Sequence, residues 1–257
     1  MYKIKALILV FFFYQISYTQ NKIVIVQYEA VKGNITNKET LLALNSKAIY
    51  LIDSLLIENE ENVKIIEEDP LNNKITISQK KIKLDATKYF LNKDDQIIHF
   101  TNNNKSIKVL VKDSLPNYSW SVLEKETKKI GEFLCKKATT NFRGSEITAW
   151  YSEELNIPFG PWKFKGLPGL ILELYNTNDD NQHSWRVQKI NFIQNKDVIF
   201  DKNDNLPLIS YETIIIDREN EIKEQMARTQ SRMPQGVSVS NIKLNRTGIE
   251  KEFEWEN

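Results

Sequence analysis

The chain has 257 residues, 41% hydrophobic and 27% charged, and its 35 basic and 34 acidic side chains nearly cancel. That composition excludes a polytopic membrane protein, a collagen-like chain and a wholly disordered one, and without a basic excess nucleic acid is not an expected partner. With one Cys and two His, no intramolecular disulfide and no four-ligand Cys/His zinc site can be built from this chain.

The first 19 residues read as a secretory signal peptide. Lys3 and Lys5 precede an apolar run over residues 6–14, and the small residues Ser17 and Thr19 stand as −3 and −1 to a cut before Gln20. The run is about half the roughly 20 residues a membrane span needs, so no transmembrane span is expected after its removal. The only Cys is Cys135, far from the cut, which excludes a lipoprotein. Cleavage leaves 33 basic against 34 acidic residues. The expected location is the periplasm or the exterior.

From residue 20 the chain reads mainly as short strands. A β-rich run opens at Ile23. Residues 41–44 and 48–52 flank a turn at Asn45-Ser46-Lys47, and residues 74–78 alternate with period two. Residues 58–62 form a short acidic connection. Ile107, Val109 and Val111 share a face in a hairpin turned at residues 102–105. Trp185, Val187, Ile190 and Phe192 predict another strand, turned by Asn195-Lys196 toward residues 198–200. Residues 152–157 suit a helical turn before Pro158. Residues 217–233 read as a helix capped by Asp217, with Ile222 and Met226 four apart and favourable Glu219–Lys223 and Glu224–Arg228 pairs. Pro234 and Gly236 stop it. The expected fold is mainly β (α+β): one large curved antiparallel sheet, half-barrel-like, with a long C-terminal helix. Residues 20–236 would form one domain, and 237–257 a polar, loosely held tail.

The densest chemistry lies at residues 120–172. Three of five Trp fall there, with Gly144, Gly160, Gly166 and Gly169 and the prolines Pro158, Pro161 and Pro168. Glycine and proline among aromatics predict a shaped loop against a hydrophobic wall. Gly166, Leu167, Pro168, Gly169, Leu170 and Ile171 read as a bend feeding a buried strand, with Trp162 and Phe164 packed behind it. A groove is the other reading, rimmed by Trp120, Arg143, Trp150, Tyr151, Trp162 and Phe164. Arg143 would then meet a ligand carboxylate; otherwise it pairs with Glu146 or Glu153.

These residues resemble the GLPGLI family: the hexapeptide itself, a Trp before a strand, Cys then Lys-Ala, Arg-Gly, Ala-Trp-Tyr, Ile-Pro and Gly-Pro-Trp-Lys-Phe. The resemblance implies an exported protein of a Gram-negative envelope and carries no catalytic residue.

No catalytic residue is assigned. Cys135 alternates with Phe133 on an expected core face, with neither His99 nor His183 in visible relation to it, and no Gly-x-Ser-x-Gly elbow occurs. Asp201, Asn203, Asn205 and Glu212 are spaced like a calcium loop, but Leu206 stands where the turn wants Gly; a polar hairpin explains them equally. No metal and no cofactor is expected. The leading expectation is a non-enzymatic periplasmic binding or envelope-assembly accessory protein, its partner a hydrophobic or peptide ligand or an envelope protein. The alternatives are a carboxylate-dependent hydrolase using residues such as Glu153 and Glu154, and a structural partner of an outer-membrane complex.

Overall fold

The structure, a computed structural model, describes residues 22–52, 64–69, 74–79, 87–177, 183–194, 205–232 and 248–256, together with 200, 202 and 246. Strands take up most of it. In chain order they are β1 (Lys22–Lys32), β2 (Ile35–Leu44), β3 (Lys47–Ile52), β4 (Lys64–Asp69), β5 (Lys74–Gln79), β6 (Thr87–Asn92), β7 (Ile97–Asn104), β8 (Ile107–Ser114), β9 (Ser121–Ile130), β10 (Phe133–Phe142), β11 (Ser145–Ser152), β12 (Leu170–Asn176), β13 (His183–Gln194) and β14 (Leu208–Ser210). Helix α1 (Tyr211–Gln230) follows β14 directly. Twelve strands form one open sheet in the order β14-β8-β7-β6-β3-β2-β1-β13-β12-β11-β10-β9, and β4 pairs with β5 apart from it.

Tight turns impose most of this topology. Lys105–Ser106 and Arg143–Gly144 have positive φ at both central positions, the geometry that matches the strand twist of a two-residue hairpin. The three Asn before Lys105 therefore belong to β7 itself, one register beyond the expected turn. Bulges at Gln27/Tyr28, Lys136/Lys137 and Trp150/Tyr151 raise the local twist and bend the sheet. One pair departs from the expected antiparallel pattern: β14 runs parallel to β8. At the other edge β9 carries Glu124, Lys125, Glu126, Lys128 and Lys129, charges that discourage strand addition.

The core lines one face. Val24, Val26, Tyr28 and Ala30 alternate inward on β1, as do Ile147, Ala149 and Tyr151 on β11. On β12, Leu170, Ile171 and Leu172 are all fully buried, because residues 153–169 fold back over the sheet through Phe159, Phe164 and Leu167. Cys135 is buried while Phe133 is only half so, and burial foremost pushes the thiol up to about 11. Native protein is therefore expected to react with a thiol reagent only at the rate it unfolds, and Cys135→Ala to cost about 1–2 kcal/mol; labelling within seconds at pH 8 would contradict this.

Three local expectations change. The helix begins at Tyr211 rather than after Asp217, because Ser210 is its N-cap and accepts a hydrogen bond from the Thr213 amide at 3.0 Å. Residues 152–157 form turns and extended chain, not a helical turn. The segment 248–256 is packed, not loosely held: Ile249 and Phe253 are buried, and the Lys251 and Glu252 amides both donate to the Arg143 carbonyl. The signal peptide, the acidic connection at 58–62, the turn at 195–196 and Asp201 and Asn203 of the calcium-like spacing lie outside the described residues. Glu212, the last member of that spacing, sits in the first turn of α1. Among the described residues, no helix is long and apolar enough to cross a membrane.

Candidate functional site

A cleft of about 450 Å³ opens between the sheet, the loop that carries Trp162, α1 and the C-terminal segment. The sheet contributes Lys32, Ile52, Tyr89, His183 and Trp185. The helix contributes Tyr211, Ile215, Arg218, Glu219 and Ile222, spaced to fall on one face of α1. No residue of α1 is fully buried, so it is a wall of the cleft rather than part of the core. Arg246, Ile249, Glu250 and Phe253 complete the lining.

Trp162 is its most unusual feature. Its φ is 56°, a left-handed conformation that a bulky side chain adopts only when surroundings enforce it. The indole lies parallel to Trp185, with ring centres 6.1 Å apart and planes 12° apart, and meets Phe142 and Phe164 edge-on. Trp185 is fixed from behind. Its indole N–H donates to Glu39 at 2.8 Å, and Tyr50 and Lys32 donate to the same carboxylate, each at 2.5 Å. Burial, with Glu39 beside it, pushes the Tyr50 phenol well up, so it remains a donor. Trp162 itself is half-buried and keeps open surface on the cleft.

Beneath the C-terminal wall lies a buried charge cluster. Arg143, at the β10–β11 turn, forks onto Asp113 at 2.7 and 3.1 Å and reaches Glu250 at 2.5 Å and Glu254 at 3.0 Å. Lys163 binds Asp113 at 2.8 Å and Glu250 at 2.6 Å, and Tyr211 donates to Glu250 at 2.7 Å. Burial opposes the Asp113 charge, but Lys163 and Arg143 outweigh it and hold the carboxyl below its ordinary value. Burial, then Glu250, pushes the Tyr211 phenol far up. Across the cleft Glu219 accepts from Arg246, which also binds Glu256. Both carboxylates of the lining are thus neutralised by cations.

Of the groove residues expected from sequence, only Trp162 lines this cleft. Arg143 pairs with Asp113, Glu250 and Glu254 rather than with Glu146 or Glu153, because its left-handed turn aims the guanidinium inward. Phe164 and Tyr151 are buried in the core. Trp120 stacks on Tyr118 and donates to the Lys165 carbonyl at 3.0 Å, and Trp150 lies under the Lys128 ammonium. In the hexapeptide, Leu167, Gly169, Leu170 and Ile171 are buried while Gly166 and Pro168 face out. Glu153 pairs with Lys136, and Glu154 accepts from the Leu134 amide; neither lines the cleft. Sequence reading missed Trp185, Tyr211, Glu250 and the helix stripe. The one available signal was Lys163 and Lys165, two lysines in an otherwise apolar run, both buried in the structure.

A family model described as N-glycanase peptide, N-terminal domain, matches residues 52–213. Two solved structures, described as PNGF-II in the C2 and P21 space groups, share the fold at 14% identity, with TM-scores of 0.50 and 0.51. They align with 80% and 76% of this chain but with 33% and 32% of their own, so the chain spans about a third of their length. A search of curated proteins finds no match. The family match overturns the GLPGLI resemblance: residues 120–172, which carried it, lie inside the matched stretch. It also overturns the non-enzymatic accessory reading, because the matched family is a domain found in an N-glycanase, and the hydrolase alternative stands nearer.

Proposed function

We propose that this chain, which belongs to the family of the N-glycanase peptide N-terminal domain, takes part in N-glycan hydrolysis and that its cleft grips the saccharide. A pyranose ring has an apolar C–H face and a rim of hydroxyls. It is matched by an aromatic platform with hydrogen-bonding groups around it. The strained Trp162, laid on Trp185 and open to the cleft, carries this reading. Backbone strain kept at a cavity points to use there rather than to packing, which an unstrained residue could supply. Lys32, Arg218, Glu219 and Tyr211 stand around that platform.

General acid and base catalysis needs groups free to exchange protons. Here Glu219 is held by Arg246, Glu250 by Arg143, Lys163 and Tyr211, and the Tyr211 phenol stays protonated. The part proposed for the cleft is therefore to bind and orient the glycan, not to move its protons.

Titration of the chain with an asparagine peptide bearing N,N′-diacetylchitobiose is expected to quench tryptophan fluorescence saturably. Ile222→Arg, a change on the half-buried helix wall, should weaken binding at least about tenfold, about 1.4 kcal/mol, with the melting temperature unchanged. Trp162→Phe, which shortens the platform, should weaken it too. A wild-type chain that binds no glycopeptide, or an Ile222→Arg variant that binds as well as wild type, would sink the proposal.

A further inference from the structure

We infer that the cleft selects a glycan carrying a carboxylate, which Arg218 receives beside the ring held on Trp162; the inference rests on the saccharide reading above. The argument is an inventory of donors and acceptors. Every carboxylate of the lining is already committed: Glu250 to Arg143, Lys163 and Tyr211, and Glu219 to Arg246. Glu39, just behind the wall, is committed to Lys32, Tyr50 and Trp185.

Donors remain. Arg218 lines the cleft and has no ion pair or hydrogen bond among the described residues. Its guanidinium is a planar fork of N–H groups with no acceptor capacity. Among the described residues Lys32, partly exposed, gives one hydrogen bond, to Glu39. Of the cations of the lining, Lys32 is paired with Glu39 and Arg246 with Glu219 and Glu256, so among the described residues Arg218 is the one without a counter-ion. A neutral hydroxyl accepts through one oxygen and carries no charge, so it matches such a fork less well. A carboxylate brings acceptors only, and its two oxygens fit the fork bidentately. Arg218 sits one position before Glu219, whose bond to Arg246 ties α1 to the C-terminal segment, so the fork is carried on an anchored part of the helix.

The test compares dissociation constants for three glycopeptides at low and high salt: a neutral chitobiosyl peptide, the same peptide with a terminal carboxylate-bearing sugar, and the neutral glycan on an acidic peptide. The acidic glycan is expected to bind about tenfold more tightly than the neutral one at low salt. That ratio should shrink as salt screens the pair, fall to near one in Arg218→Ala, and recover in part in Arg218→Lys. A ratio near one in wild type, or one that Arg218→Ala leaves unchanged, would overturn the inference while neutral binding kept the saccharide reading. Preference for the acidic peptide over the acidic glycan would equally overturn it. Failure of all three to bind would instead remove the saccharide reading on which it stands.

Discussion

Arg143→Ala is expected to destabilise the fold by about 3–5 kcal/mol, the effect of breaking a buried ion pair from one side. The Arg143 and Asp113 side chains are both 0% exposed. Removing the guanidinium leaves Lys163 as the one cation described against Asp113 and Glu250, both out of water, with Glu254 beside them. It also removes the Arg143 contacts to Phe142, Tyr211, Phe253 and Trp255, which help to seat the C-terminal wall of the cleft. Arg143→Gly separates charge from backbone. Glycine relieves the positive φ at this turn by about 1 kcal/mol, yet the variant should remain severely destabilised, because the carboxylates are still uncompensated.

The same cluster sets an acid limit. The folded pKa of Asp113 is depressed, so its contribution is fully present above the unfolded value of about 3.9 and is lost as pH falls below that toward the folded value. Wild-type stability should thus fall steeply below about pH 4, and less steeply in Arg143→Ala, where part of the depression is gone. Urea unfolding at pH 7 and pH 3 checks both claims. A cost under about 1 kcal/mol, or parallel acid limbs, would show that the cluster contributes little.

Gly169→Ala should cost about 3 kcal/mol or more, or abolish soluble expression. A Cβ there would lie 2.1 Å from the Ser152 carbonyl oxygen and 2.6 Å from its carbon. Those are backbone atoms at the end of β11, paired with β12 through Ser152 and Leu170, so no side chain can swing aside and strands must separate. Gly33→Ala is the control. Gly33 has φ of 62° but nothing within 4 Å of its Cβ position, and the change should cost only about 1–2 kcal/mol from the backbone. Equal melting temperatures for the two variants would refute the close approach at Gly169.

That contact also explains why the segment from Gly160 to Ile171 is so conspicuous as sequence. Gly160 likewise leaves no room, with Ile171 side-chain atoms 2.6–3.0 Å from its Cβ position, and Gly166 has φ of 95°. The glycines answer to packing against β11 and β12. A short motif dictated by packing is visible in a sequence whatever the protein does, which is how it pointed to the wrong family here.

The mainly β architecture was legible because its signals are local. Period-two alternation marks β5 and β8, a β-rich run marks β1, and Asn45-Ser46 and the stretch before Ile107 mark turns through backbone preferences of a few neighbouring residues. The burial of Cys135 followed from the same alternation. What the sequence could not show depends on separations of a hundred residues or so. Arg143 meets Glu250 and Glu254, Tyr28 donates to the Ile171 carbonyl, and Trp185 donates to Glu39; none of these pairs leaves a periodic trace. The helix start was misplaced because Asp217 and Ser210 are both good caps, and only the junction of β14 with β8 selects Ser210. The cleft is the extreme case. Its wall on α1 needs the helix register, its platform needs a left-handed Trp162, and its floor needs β6, β3, β2, β1 and β13 paired in that order. Local preference wrote the strands and turns, while strand pairing and the burial of charge decided which side chains face the cleft.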